Sequence, residues 1–106
     1  MVSRAGENAR WRARHPDVAA AQAERHRERN RAIIREAKAV PCHDCGQTFP
    51  AYVMEFDHAR GTKVDNVARM VASSLARLRA ELAKCDVVCA NCHRVRTHQR
   101  RMLVAV

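Results

Sequence analysis

Apolar positions follow three different rhythms along the chain. Over residues 17–40 they are sparse. Ala, Glu and Arg dominate, no Gly or Pro intervenes, and only Ile33, Ile34, Ala37 and Val40 offer a surface that could dock on a body. That composition favours helix. His15-Pro16-Asp17 has the form of a helix start, with Pro at the first helical position and an acid in the first turn. Pro41 ends the segment. The pattern predicts a long helix anchored at its C-terminal end, with Arg25, Arg27, Arg29 and Arg31 solvated. Residues 1–14 are polar and are expected to be mobile.

The second rhythm is period two. Over residues 51–58, Tyr52, Met54 and Phe56 fall on one side and Val53 and Glu55 on the other, which predicts a strand. Glu55 is read as a surface ion pair. Residues 59–66 form a loop around Gly61. The third rhythm is helical. Val67, Val71, Leu75, Leu78 and Leu82 recur at spacings of three and four, with Ser73 and Ser74 breaking the stripe into two helices and one serine as N-cap. Cys85 continues the stripe and is read as core. Asp86-Val87-Val88 is a short extended piece, and residues 90–102 read as a final helix.

With 106 residues, the chain is expected to hold one domain with an arm: a basic helical arm over residues 1–40 and a body over 41–106. Aromatics make up only 4% of it, so the core must be small and aliphatic. Domains of ~60–70 residues bury only ~60% of their unfolded surface and often need a metal, a disulfide or a partner. There is no apolar run near the ~20 residues of a membrane span and no secretory pattern. Multi-domain enzymes, membrane proteins and secreted proteins are thereby disfavoured, and a bacterial cytoplasm is the expected location.

Charge is distributed unevenly. The formal net charge is +9; residues 1–40 carry +5, residues 41–92 carry zero and residues 93–106 carry +4. A basic excess flanking a neutral centre points to a polyanionic partner, gripped mainly through phosphates. Arg25 and Arg29 on the arm are candidate contacts.

Four of the five cysteines form two C-x-x-C pairs, Cys42/Cys45 and Cys89/Cys92. A disulfide framework would favour an even count and an export signal. Two such pairs read as a four-thiolate zinc site, because a two-residue spacer lets both thiolates of one turn point at one ion. A thioredoxin-like redox motif is the alternative, but it needs one pair and a βαβ setting. In residues 42–50 Gly46 supplies the permissive backbone of the first turn. His43, inside that turn, is expected to be exposed.

Zinc would pin the turn before the strand to the turn that opens the last helix. Asp57-His58, at the strand end, should then face His93. At ~100° per residue, His93, Arg96, Thr97 and Arg100 share one helix face, and Cys92, Val95, Gln99 and Met102 another that should meet the zinc and core. Arg96 and Arg100 join the candidate phosphate contacts. His98 lies ~140° round from His93 and is poorly placed to share an ion with it.

The stretches CHDCG (42–46), MEFDH (54–58), AELAKC (80–85) and CDVVCANCHRVRTHQR (85–100) together resemble the HNH endonuclease family, most of all its small phage-type members with a four-cysteine zinc. The likeness covers residues 42–100. It implies a small α+β fold: a ββα-metal core pinned by structural zinc at Cys42, Cys45, Cys89 and Cys92, with a helical insert between the strands. By position, His58 matches the general base, and Asp57 and His93 match ligands of a catalytic divalent metal such as Mg²⁺. The family's middle Asn commonly sits about five residues before the third cysteine; here that position is Lys84, with Asn66 and Asn91 the asparagines nearby. Phage or mobile-element settings, and proteins of those systems as further partners, are what the resemblance adds.

The chemistry suits the residues. Imidazole, with an unperturbed pKa of ~6.5, suits a base that deprotonates water. A cation held by one carboxylate and one imidazole keeps positions open for water and phosphate oxygens. The expected function is metal-dependent DNA cleavage with little sequence preference. A non-catalytic zinc module that binds nucleic acid explains the cysteines and charge equally well, but gives no reason for Asp57, His58 and His93.

Overall fold

In the computed structural model, residues 4–105 are described. Residues 1–3, part of the segment expected to be mobile, and Val106 lie outside them. The chain runs α1 (Arg4–Arg14), α2 (Pro16–Lys38), a 3₁₀ turn (Ala51–Val53), β1 (Met54–His58), a 3₁₀ segment (Val67–Ala72), α3 (Leu75–Leu82), β2 (Cys85–Cys89) and α4 (Ala90–Ala105). This is a small, mostly helical α+β arrangement. Among the described residues, no helix is long and apolar enough to cross a membrane.

The segment expected to be mobile is helical from Arg4. α1 buries no side chain. Its junction with α2 is local: the Trp11 and His15 rings stack with centroids 4.6 Å apart, and His15 Nδ1 lies 2.9 Å from the Trp11 carbonyl. Pro16 then opens α2, with Asp17 in the first turn, as the sequence predicts.

α2 docks by its C-terminal half. Ile33 and Ile34 pack on a cluster of Val67, Met70 and Leu78, which Phe56, Leu82 and Cys85 extend. Val40 stays exposed, because α2 ends at Lys38 and the chain turns away before reaching it. Asn30, read only as part of a polar helix, is completely buried. Its amide nitrogen donates to the carbonyls of Val71 (2.9 Å) and Ser73 (2.8 Å), carbonyls that the short 3₁₀ segment leaves without helical partners. α2 therefore touches the 3₁₀ segment and its end from His26 onward, where His26 Nε2 lies 2.8 Å from the Ser73 carbonyl.

The two strands form an antiparallel ribbon in the register Met54↔Cys89, Phe56↔Val87 and His58↔Cys85. A lone two-stranded ribbon is marginal in water. Here it is covered on both faces, by α4 on one and by α2, α3 and the 3₁₀ segment on the other. Alternation along β1 sends Glu55 and Asp57 towards α4, and Phe56 and His58 towards α3. Tyr52 departs from the expected alternation: it lies in the 3₁₀ turn before the strand and is 88% exposed. The break in the helical stripe falls as predicted, with Ser74 as N-cap of α3, its hydroxyl accepting from the Arg77 N–H at 3.2 Å.

Candidate functional site

The two C-x-x-C turns meet at one end of the ribbon. The first follows α2. Gly46 adopts a φ of +73°, a left-handed conformation that few other residues accept, and its N–H bonds the Cys42 carbonyl at 2.9 Å. The His43 N–H donates to the Val87 carbonyl at 2.9 Å and ties this turn to β2. The second pair spans the junction at which β2 becomes α4. All four Sγ atoms lie within 4.8 Å of one another, and none is in a disulfide.

Four thiolates around one zinc at about 2.3 Å would stand about 3.8 Å apart, so a small contraction closes the set. The electrostatics point the same way. Burial opposes ionisation of Cys42, yet backbone N–H groups of Cys45, Cys89 and Asp44 outweigh it and bring its pKa down to about 6. Cys92 is pushed up to about 12, chiefly by its hydrogen bond to Cys89, then by burial and by Cys42 and Cys45. Four sulfurs this close cannot all ionise without a cation among them. The cluster is consistent with a structural metal such as zinc, and four sulfur donors leave it no open position. Because both pairs converge on one point, the single-pair redox reading has no support in the geometry.

Asp57 lies on the α4 side of β1 and is buried. Arg100 donates to both of its oxygens, at 2.6 and 2.7 Å, and Arg96 Nη1 donates to Oδ2 at 2.7 Å. Arg100 foremost, then Arg96, hold the carboxyl well below its ordinary pKa despite burial. The His93 ring stands between two carboxylates. Its Nε2 is 3.3 Å from Asp57 Oδ1, and its Nδ1 is 2.5 Å from Glu55 Oε2. Asp57 and His93 are thus brought together as expected, and the acid read as a surface ion pair is a partner of His93.

α4 is rotated from the expected orientation. The face bearing His93, Arg96 and Arg100 meets the ribbon, while Val95 and Met102, expected against the zinc and core, are about half exposed. The carboxylates of the ribbon decide this. Arg96 donates to Asp44, Asp57 and Asp86 at once, over 2.6–2.9 Å, and only 16% of its side chain is exposed. Expected as a phosphate contact, Arg96 is instead the hub joining the first cysteine turn, both strands and α4.

His58 does not share the face of His93. It turns to the other side of β1, where its Nε2 lies 2.8 Å from Oε2 of Glu81 on α3. Glu81 is buried; its Oε2 also accepts from the Val64 N–H at 3.1 Å, and its Oε1 accepts from Lys84 Nζ at 2.9 Å. Lys84 first, with Val64 and His58, outweighs burial and holds the Glu81 pKa down at about 2. Asn66 and Asn91, the asparagines nearest the position that Lys84 takes in the family pattern, are both exposed. Glu81 was legible in principle: it sits three residues after Leu78 and four before Cys85, an acid on the apolar stripe of a helix.

Among the arm arginines, Arg27 and Arg31 pair with Glu24 and Glu28. Arg25 is exposed. Arg29 is also exposed and donates to His26 and Asn30. Beside α4, next to Glu55 of β1, an open hollow is lined by Glu55, His93, Arg94, Thr97, His98 and Arg101. His43 is exposed, as expected. Cys85 packs in the second cluster, and burial above all pushes its thiol up to about 11, as suits an inert core cysteine. The chain matches no protein-family model, no curated protein and no solved structure.

Proposed function

We propose that the chain is a metal-dependent DNA endonuclease of the HNH type, as its motifs suggest. The observation that carries this reading is the seat of His93. A histidine that ligates a metal commonly donates its second ring N–H to a carboxylate, which fixes the ring and its tautomer. Glu55 accepts at Nδ1, so Nε2 is left to face the buried carboxylate of Asp57. One carboxylate oxygen and one imidazole nitrogen suit a hard divalent cation with open positions. Arg100 holds the same oxygen, but its side chain is about half exposed and can leave it. A cation held by Asp57 and His93 would stabilise charge on the leaving oxygen.

The remaining roles belong to the protein. His58 is the general base for the attacking water. The reading requires a phosphodiester lying across the end of β1, where Asp57 and His58 border it from the two faces. Arg25, Arg94 and Arg101 are exposed cations that would meet phosphates, and Arg29 and Arg100 join them if they give up their present partners. The four-cysteine metal keeps both cysteine turns, and with them β1 and α4, in place.

One observation favours a second reading. Both oxygens of Asp57 are taken by guanidinium groups, as in a purely structural ion network, and that suits a non-catalytic zinc module that binds nucleic acid. Plasmid relaxation with Mg²⁺ or Mn²⁺ separates the two, alongside DNA binding by fluorescence anisotropy. The nuclease reading expects nicking by the wild type that His58→Ala and His93→Ala abolish while binding persists. Binding without nicking under either ion would establish the second reading.

A further inference from the structure

We infer that Glu81 is the positioning residue of His58, holding its ring with the proton on Nε2 and presenting the Nδ1 lone pair as the base. This rests on the hydrolytic reading above and deepens it. The argument begins with acceptor chemistry. An ionised carboxylate only accepts hydrogen bonds. Glu81 is buried and surrounded by donors: Lys84 Nζ on Oε1, and the Val64 N–H on Oε2 beside His58. With those donors it stays ionised, so the short contact to His58 Nε2 requires the proton to be on that nitrogen. One proton on a neutral imidazole leaves the other nitrogen free to accept one.

The geometry also restrains the ring. His58 comes from the last position of β1 and Glu81 from the last turn of α3, so the bond spans two elements that the second apolar cluster packs together. Lys84 adds a third point, because its Nζ also donates to the Thr62 carbonyl at 2.7 Å. The residue standing where the family pattern has an asparagine therefore acts one step removed. Lys84 orients Glu81, and Glu81 orients the imidazole. A carboxylate behind an imidazole fixes its tautomer and stabilises the imidazolium that forms when it takes a proton; an amide can donate as well as accept and enforces neither.

Two measurements test this, one of them independent of activity. Long-range ¹H–¹⁵N spectra of the histidine rings in the wild-type protein, at a pH where His58 is neutral, should show Nε2 protonated and Nδ1 bare. A proton on Nδ1 overturns the inference, and no variant need fold for that result. In Glu81→Gln the His58 ring should move towards the other tautomer or a mixture. Its single-turnover nicking rate should fall by at least about 10²-fold with DNA affinity unchanged, and Glu81→Asp should recover part of the loss. Wild-type nicking rates in Glu81→Gln overturn the inference even if the tautomer shifts. If the tautomer is as stated and the wild type nicks no DNA with Mg²⁺ or Mn²⁺, the hydrolytic reading falls, and Glu81 is left as a structural partner of His58 with no catalytic part.

Discussion

Arg100 grips Asp57 as a fork, Nη1 on Oδ1 at 2.6 Å and Nη2 on Oδ2 at 2.7 Å. Paired charge-assisted bonds of this kind are among the stronger polar contacts in proteins. They also place a positive charge where a divalent cation would have to sit. Phosphate is an equally good partner for the fork, so DNA arriving at α4 would draw Arg100 off Asp57 and release the carboxylate. Without DNA, Arg100→Gln should therefore bind Mn²⁺ at least about tenfold more tightly than the wild type, since a unit charge a few ångströms away near the surface costs over a kcal/mol. Titration followed by electron paramagnetic resonance reads this directly. Unchanged or weaker binding would place Asp57 in a structural network and not in a metal site.

Glu55 holds the far nitrogen of the same imidazole. Its side chain is 46% exposed, so replacing it disturbs little packing. Loss of a carboxylate behind a metal-ligating histidine typically costs 10–100-fold in metal affinity. Glu55→Gln should weaken Mn²⁺ binding by about that factor while the thermal melt stays close to wild type. Equal affinity in the two proteins would remove Glu55 from the site.

The cysteine cluster is expected to be inseparable from the fold. Cys42 and Cys89 belong to the first apolar cluster with Met54 and Val88, so the metal-binding atoms and the core are the same residues. Thiolate–metal binding energy is then folding energy. The purified protein should hold one zinc by elemental analysis. A strong chelator should abolish its cooperative melt, and Cys89→Ser should fail to give a folded protein. A cooperative melt that survives loss of the metal would contradict this.

Much of this was legible from spacing. The C-x-x-C pairs announced their convergence, the Ser73-Ser74 break stands where periodicity puts it, and the strand expected over 51–58 is present from Met54 to His58, after a 3₁₀ turn. Three features were not. α4 is turned so that charged residues meet the ribbon, because Asp44, Asp57 and Asp86 converge on Arg96 from three separate segments. A helical wheel that assigns the apolar side inward cannot see partners on other elements. His58 and Asp57 were expected to act together on His93, yet neighbours on a strand point to opposite faces, and the two covers of the ribbon claim one each. Asn30 lay hidden in a polar run, since its burial answers a need for donors created forty residues later in the 3₁₀ segment.

That need makes Asn30 a sharp test of the packing of α2. Its amide serves the Val71 and Ser73 carbonyls in a fully buried position. Asn30→Ala removes the donors to these half-buried carbonyls, of which that of Ser73 keeps His26 Nε2 at 2.8 Å, at a cost of about 1–3 kcal/mol. Asn30→Asp should be worse, because it sets a carboxylate against carbonyl oxygens. Urea denaturation gives both numbers. Variants as stable as wild type would mean that Ile33, Ile34 and the His26–Ser73 contact hold α2 without Asn30.

Acid should expose the contribution of Glu81. Its pKa is held at about 2 in the folded chain, against an ordinary 4.5. A depressed carboxyl stabilises the fold fully above the unfolded value and loses that contribution as pH falls through the folded one. The wild type should therefore exceed Glu81→Gln in stability at neutral pH, and the gap should narrow from about pH 4.5 downwards and close towards pH 2. Thiolate protonation would release the metal from both proteins as the medium becomes acid, so the quantity to follow is the difference between their denaturation curves at each pH. A difference that stays constant from pH 7 to pH 3 would mean that the carboxylate of Glu81 gains nothing from Lys84, Val64 and His58 in the folded state.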